Sequence, residues 1–212
     1  DVYRYPKDLM TLGAKQQNKQ FLNVRKNCIA KYMNLPEEKI KFYDHHTCHI
    51  YYSYFANPQK KEEVIGFTID AWGDGRNQTV WHIKNEKFKL LANSDQCELG
   101  RVYRTITLYL GMKPLEHEYK VMGLAPYSKE IHSDEVYQEL KDLLCIDGMR
   151  VVHKKRPNDL YQFLVEKLKV YRFDSIAGGA QKWLEEMSKE LIRNIYQETG
   201  IRNFVFTRTF RL

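Results

Sequence analysis

The feature that most constrains the fold is a run of three β-rich segments between residues 64 and 92. The segments are VIGFTI, TVWHI and FKLLA, and they are separated by a Gly-Asp-Gly sequence and by an Asn-Glu pair. Runs of β-branched and aromatic residues with turn residues between them predict neighbouring strands. The connections are too short to hold the helix of a parallel crossover. The sequence therefore predicts an antiparallel meander.

Helical patterns lie on both sides of this meander. Apolar residues at helical spacing predict helices at about 8–34, 45–56, 99–109, 116–124, 133–144, 158–170 and 176–198. Gly200 is a natural stop for the last helix. Short strands are expected for KIKFYD, just before the second helix, and for NFVFT, just after Gly200. A meander combined with flanking helices indicates a layered α/β or α+β fold with a mixed sheet.

Three histidines occur in DHHTCH, residues 44–49, where a strand is expected to lead into a helix. His45 and His49 are four residues apart, so on a helix their imidazoles lie on one face and can share a metal ion. A third ligand would have to come from elsewhere in the fold. The H-E-x-x-H helix of zinc proteases has the same spacing, but His46 here replaces the glutamate that serves as its general base. The pattern favours a metal or catalytic site over structural histidines and disfavours a protease, with His46 as the candidate catalytic residue.

The segment TIDAWGDGRNQT combines glycines with carboxylates. Gly73 and Gly75 would let backbone N–H groups approach an anion closely. Asp70 and Asp74 would repel a phosphate unless a proton or a divalent cation such as magnesium lies between them. A metal-bridged phosphate reconciles these two properties, and an ordinary turn between strands is the alternative.

The overall composition narrows the class of protein. No stretch of the 212 residues approaches the ~20 apolar residues needed to cross a bilayer, and the first residues lack the features of a secretion signal. The four cysteines are widely spaced, which suggests neither a zinc ribbon nor a disulfide framework and fits a reducing cytoplasm. We therefore expect a cytoplasmic protein with no membrane partner.

The formal charge of +7 is concentrated in part on the first predicted helix, in Lys15, Lys19, Arg25, Lys26 and Lys31. Such a face could attract phosphate groups or nucleic acid. The segment has no interleaved aromatic residues and no nucleic-acid-binding motif, so a solvated helix face is the simpler interpretation and a nucleic-acid partner is not expected.

Two further segments are LGRVYRTITLYLG and EYKVMGLAPY. Together with DHHTCH and DAWGDG, in this order, they resemble the O-carbamoyltransferase family, which includes nodulation proteins and antibiotic-biosynthesis carbamoyltransferases. The family pattern is Asp-His-His-x-x-His, then D-G-x-G-D, then L-G-x-x-Y-x-x-x-T-x-x-L-G, then E-Y-K-x-M-G-L-A-P-Y. This sequence departs from it at Ala71, where the family has glycine, and at Ser128, where a glycine commonly follows the tyrosine.

The resemblance implies an actin-like ATPase superfold and a carbamoyltransferase activity. In this family carbamoyl phosphate and ATP yield carbamoyl-adenylate, whose carbamoyl group passes to a hydroxyl of an acceptor. By resemblance, His45 and His49 bind iron or a zinc-like metal. The residues expected to line the adjoining pocket or contact the nucleotide are Asp70, Gly73, Asp74, Gly75, Glu118 and Lys120.

The resemblance also implies that parts of the family's catalytic domain lie outside these 212 residues. We expect residues 1–130 to carry the metal and phosphate motifs of a partial actin-like domain, and residues 131–212 to be its helical part. The family's opening strand, its Gly-Gly loop and a later aspartate ligand are not found, so a second chain could complete the site. The alternatives are a diverged binding module that uses the basic helix, and a tRNA threonylcarbamoyl transferase, which shares the histidine spacing but does not explain EYKVMGLAPY.

Overall fold

The computed structural model describes residues 14–206, and within the first helix it describes the side chains from residue 20 onward. The helices are α1 (Ala14–Met33), α2 (His45–Phe55), α3 (Leu99–Tyr109), α4 (Glu118–Leu124), α5 (Glu130–Leu140), α6 (Leu160–Leu168) and α7 (Phe173–Thr199). The strands are β1 (Glu63–Gly73), β2 (Arg76–Lys84), β3 (Lys87–Ser94), β4 (Leu144–Asp147), β5 (Arg150–His153) and β6 (Phe204–Phe206).

The chain divides into two compact units, Asp1–Asp44 and His45–Leu212. The described part of the first unit holds α1 and a single 3-10 turn, Glu37–Lys39. The strand expected for KIKFYD is wrong, because residues 40–44 have no regular structure and join neither sheet of the described chain. A β-rich segment becomes a strand only where another strand satisfies its backbone N–H and C=O groups. Residues 8–13 of the first expected helix lie outside the described residues.

The second unit is built on a four-stranded sheet with the order β3-β2-β1-β6. β1, β2 and β3 form the predicted antiparallel meander, with Ile65 opposite His82 and Ile83 opposite Phe88. β6 pairs in parallel with β1, and it is reached through the intervening helices. The predicted class, a mixed α/β fold with an antiparallel meander and flanking helices, is confirmed.

Helix α7 organises the main core. Its residues Ile176, Ala180, Trp183, Met187, Leu191 and Ile195 recur at helical spacing, and each is almost completely buried. Helix α5 packs closely on α7, because a β-carbon at Gly179 would lie 2.4 Å from the Val136 side chain. The predicted stop is also confirmed, since Gly200 takes a left-handed conformation and its N–H donates to the Tyr196 carbonyl.

A β-hairpin, β4–β5, lies where the sequence predicted the end of a helix over residues 133–144. Helix α5 ends at Leu140, and Gly148 and Met149 form the turn between the paired residues Asp147 and Arg150, with Gly148 at a φ of +58°. Gln78 of β2 holds the hairpin, since its amide donates to the Met149 carbonyl and accepts from the Val151 N–H. The hairpin therefore lies against the end of the main sheet at which β2 begins.

The remaining helices agree with expectation within a few residues, and α3 has the predicted bounds. Helix α2 begins at His45, so the histidines of DHHTCH open a helix, as the sequence indicated. None of the helices in the described chain combines the length and the apolar character that crossing a membrane requires.

Candidate metal centre

Three potential metal ligands converge where α2 begins and β1 ends: His45, His49 and Asp70. Nε2 of His49 lies 3.1 Å from Nε2 of His45 and 3.5 Å from Oδ2 of Asp70. The same Asp70 oxygen is hydrogen bonded to Nε2 of His45. All three donor atoms lie within 4.8 Å of one another. The helical spacing of the histidines thus brings both imidazoles to one carboxylate.

The cluster is partly open to solvent. The side chains of His45 and His49 are 39% and 32% exposed, whereas that of Asp70 is 14% exposed. The carboxylate is therefore the most protected of the three groups, and a ligand from solvent would reach the imidazoles first.

The turn between β1 and β2 fixes His45 in two ways. Oδ2 of Asp74 accepts a hydrogen bond from the His45 backbone N–H at 2.6 Å. A carboxylate at the first N–H of a helix satisfies a donor that has no partner within the helix and interacts favourably with the helix dipole. Gly73 packs under the imidazole, because a β-carbon there would lie 2.2 Å from Cδ2 of His45. The DAWGDG segment therefore positions His45, and this role is separate from the anion contact that the sequence suggested.

The turn itself requires unusual backbone angles at two consecutive residues. Asp74 has a φ of +51° and Gly75 a φ of +83°, and a pair of positive φ values is characteristic of the tight type I′ hairpin turn. Before this turn, the pairing of β1 with β2 is irregular between Ile69 and Gly73. Irregular pairing of this kind re-aims side chains next to functional sites, and Asp70 lies within the irregular segment.

His46 is fully buried next to the cluster. Its Nε2 lies 3.1 Å from the Arg76 carbonyl, which can only accept, and its Nδ1 lies 2.6 Å from the Thr68 hydroxyl. Thr79 lies 2.6 Å from Thr68 and accepts from the Trp81 indole N–H. These hydrogen bonds tie the start of α2 to β1 and β2. A catalytic role for His46 stays a prediction.

Glu118 and Lys120 lie at the start of α4. Glu118 is buried, with 8% of the residue exposed, and its carboxylate accepts from the Leu115 N–H at 2.7 Å. Leu115 has a φ of +69°, so Glu118 stabilises a strained turn before the helix. Lys120 lies beside His117, with 3.1 Å between Nζ and Nε2. Contacts of Glu118 and Lys120 with a nucleotide stay predictions.

The Glu118 carboxylate also acts on Tyr103, the tyrosine of the LGRVY segment. Burial raises the pKa of Tyr103, and the negative charges of Glu118 and Glu185 raise it further. The Tyr103 hydroxyl donates to Oε1 of Gln181 on α7 at 3.2 Å. The segments LGRVY and EYKVM thus meet inside the fold.

Sequence reasoning did not identify Asp70 as the partner of the two histidines. It grouped Asp70 with the anion-binding turn and expected a third ligand from beyond these residues. The pairing depends on the irregular end of β1, and no residue pattern marks that feature. The structure thus supplies a third donor within the chain itself.

The chain is similar to known proteins over most of its length. A family model described as Carbamoyltransferase N-terminus matches residues 5–207. An uncharacterized protein of Methanocaldococcus jannaschii is 27% identical over 184 residues, which are 77% of this chain and 30% of that protein. The nodulation protein NolNO of Sinorhizobium fredii is 25% identical over 169 residues, which are 77% of this chain and 24% of that protein. The chain thus spans about a third or less of the length of these two relatives.

Proposed function

Because the chain belongs to the carbamoyltransferase N-terminal domain family, we propose that it forms the transfer site of a carbamoyltransferase. The group would come from carbamoyl phosphate, activated with ATP as carbamoyl-adenylate, and would pass to a hydroxyl of a small-molecule acceptor. The observation that carries this proposal is the meeting of His45, His49 and Asp70 in a chain that matches the family almost throughout. The matched relatives are about three times as long or longer, so another part of the polypeptide or a second chain would supply the rest of the enzyme.

The donor set fits iron(II) or a zinc-like divalent metal. Two imidazole nitrogens and one carboxylate oxygen are the protein ligands of non-haem iron(II) sites and of several catalytic zinc sites, both of which keep positions open for substrate. A metal bound here would polarise the carbamoyl carbonyl as a Lewis acid. A magnesium ion would fit better at a phosphate near Asp74, because magnesium prefers oxygen ligands.

The chain's own residues would hold this site in place before the substrate binds. Asp74 fixes the first turn of α2 and therefore the position of His45. Gly73 gives the His45 imidazole its space, and the N–H groups of the following turn would face developing negative charge on the substrate. His46 holds α2 against the sheet, which favours a positioning role for His46 over proton transfer to a substrate.

In the transfer step, the acceptor oxygen bonds to the carbamoyl carbon and the bond from that carbon to the adenylate oxygen breaks. AMP leaves, and the proton of the acceptor hydroxyl passes to the leaving phosphate or to water. The acceptor oxygen adds to the carbamoyl carbon from one face of the planar carbamoyl group, so the site must leave one of those faces open to the acceptor. The partial exposure of His45 and His49 is compatible with such an approach.

The experiment replaces His45 and His49 together by alanine and measures iron and zinc by mass spectrometry after purification. The double variant is expected to lose the metal that the parent chain retains. His132→Ala is the matched control, because His132 is an exposed histidine on α5 that pairs with Glu135. Equal metal content in the parent and the double variant would refute the metal centre.

Calorimetric titration with AMP, the leaving group of carbamoyl-adenylate, tests the nucleotide part of the proposal. AMP is expected to bind the metal-loaded parent chain and to bind the double variant at least tenfold more weakly. If AMP binding is the same in both proteins, the nucleotide does not lie at this cluster.

A further inference from the structure

A cavity of about 260 Å³ lies where the start of α3 meets the end of β5 and the start of α6. None of the residues that line it belongs to the histidine cluster. The lining residues are Glu98, Arg101, Val102, Leu143, Leu144, His153, Arg156, Pro157, Asn158 and Leu160. The volume is slightly below the range of roughly 300–1,000 Å³ that is usual for drug-sized ligands, so it suits a smaller molecule.

The polar side of the cavity contains one carboxylate and three basic side chains. Arg101 donates to Glu98 at 2.7 Å. Arg156 and His153 lie 3.8 Å and 3.9 Å from the same carboxylate, which is beyond hydrogen-bond distance. The Arg156 guanidinium is therefore attracted toward Glu98 without being bonded to it, and its donors can turn to a ligand.

The charges that line the cavity sum to one positive charge at neutral pH. Burial lowers the pKa of His153, and the nearby Arg156 and Arg101 lower it further, against the opposing effects of Glu98 and Asp95. An imidazole of lowered pKa is mostly neutral at pH 7. Two guanidinium groups then face one lining carboxylate, because Asp95 is near His153 but does not line the cavity.

Deeply buried apolar side chains form the floor of the cavity. Val102 and Leu144 are 2% exposed and Leu143 is 4% exposed, so the floor is a rigid part of the main core. Leu160 and Pro157 add apolar walls. A pocket with an apolar floor and a few polar groups at one side binds molecules that have one polar end and an apolar body.

We propose that this cavity is a binding site for a small organic monocarboxylate with a branched aliphatic body, held by Arg156 and Arg101 above the Val102–Leu143–Leu144 floor. A carboxylate matches the planar guanidinium group through two parallel hydrogen bonds. One negative charge balances the net positive charge of the lining, whereas a phosphate dianion would leave one negative charge uncompensated in the cavity. This inference does not depend on the proposed carbamoyl transfer.

Isothermal titration calorimetry of the intact chain with three ligands of the same carbon skeleton tests the charge requirement. The ligands are 4-methylpentanoate, 4-methylpentan-1-ol and 4-methylpentan-1-amine. The carboxylate is expected to bind at least tenfold more tightly than the alcohol and the amine. Equal binding of the carboxylate and the alcohol, or no binding of the carboxylate at 10 mM (roughly the weakest affinity that would still matter), would overturn the proposal.

Three variants then locate the binding site. Arg156→Gln is expected to weaken carboxylate binding about tenfold, because it removes one paired charge. Glu98→Gln is expected to strengthen it, because it removes the competing carboxylate. The control is Arg150→Gln, because Arg150 is an exposed arginine on β5 that pairs with Asp147. This variant should bind the carboxylate as tightly as the parent does.

The Glu98 variant separates this proposal from the reverse one. If the cavity bound a cation at Glu98, the same substitution would weaken binding of the amine and leave the carboxylate unaffected, and that result would refute an anion site. Circular dichroism of each variant shows whether it is folded. Should Arg156→Gln fail to fold, Arg156→Lys, which keeps the charge but loses the two-bond geometry, gives the same test with a smaller expected loss.

Discussion

Replacement of Gly73 by alanine should weaken metal binding without any change in a metal ligand. The new β-carbon would lie 2.2 Å from Cδ2 and 2.5 Å from Cγ of His45, and real β-carbons do not approach other atoms so closely. Either the imidazole or the end of β1 must move. Forcing one extra carbon into such a space costs about 1–3 kcal/mol of folding free energy. Displacement of a residue that supports a metal ligand typically lowers metal affinity about 10- to 100-fold.

Gly75→Ala is the matched control in the same turn. A β-carbon at Gly75 would meet nothing within 4 Å, but its φ of +83° strains any residue with a β-carbon. We therefore expect Gly75→Ala to cost about 1 kcal/mol of stability and to leave metal affinity within about twofold of the parent.

Urea unfolding gives the stabilities, and calorimetric titration of the metal-free proteins with zinc gives the affinities. Unchanged zinc affinity in Gly73→Ala would show that His45 does not depend on this contact. Equal losses of affinity in the two variants would show that strain in the turn, and not the space under His45, controls the site.

Two other substitutions test local features. Leu115→Gly should stabilise the chain by up to about 1 kcal/mol, because Leu115 is 67% exposed and has a φ of +69° that glycine adopts without strain; a urea midpoint lower than that of the parent would contradict this. Burial raises the pKa of Cys97 to about 12, whereas an unfolded thiol titrates near 9. Only the unfolded state then loses this proton between those values, so stability falls as the pH rises from 9 toward 12 and is fully present below 9. Cys97→Ala should flatten the decline above pH 9, by up to about 1.4 kcal/mol per pH unit, and an unchanged slope in urea unfolding between pH 9 and pH 11 would refute the assignment.

The local elements were largely predictable from the sequence. The meander followed from three β-rich runs with turn residues between them, and α3 followed from the spacing of Leu99, Val102, Tyr103 and Ile106, which are all buried. These predictions depend on contacts between residues near one another in the chain. The β4–β5 hairpin was missed, although a glycine that opens a two-residue turn, here Gly148, is a hairpin signal, because the preceding helical pattern was extended through Leu144.

The candidate site was predictable only in part. The spacing of His45 and His49 predicted that they share one face of a helix, and the structure confirms this placement. Their contact with Asp70 links positions 21 and 25 residues apart and depends on irregular strand pairing, which periodicity does not report. The strand expected for KIKFYD failed for a related reason, since a strand depends on a pairing partner that the segment itself does not specify.

The contacts around α2 explain why the histidines and the aspartate-glycine turn occur together. His45 is held by Asp74 and depends on the absence of a side chain at Gly73, while His46 binds Thr68 on β1 and the Arg76 carbonyl on β2. The first helical turn of α2 is thus attached to β1 and β2, the two strands that the DAWGDG turn connects. Asp70 belongs to one of these strands, so the distance from each histidine to the carboxylate is set by the end of the sheet. We therefore expect a change in the DAWGDG turn to alter the candidate metal centre even when the three donor residues are retained.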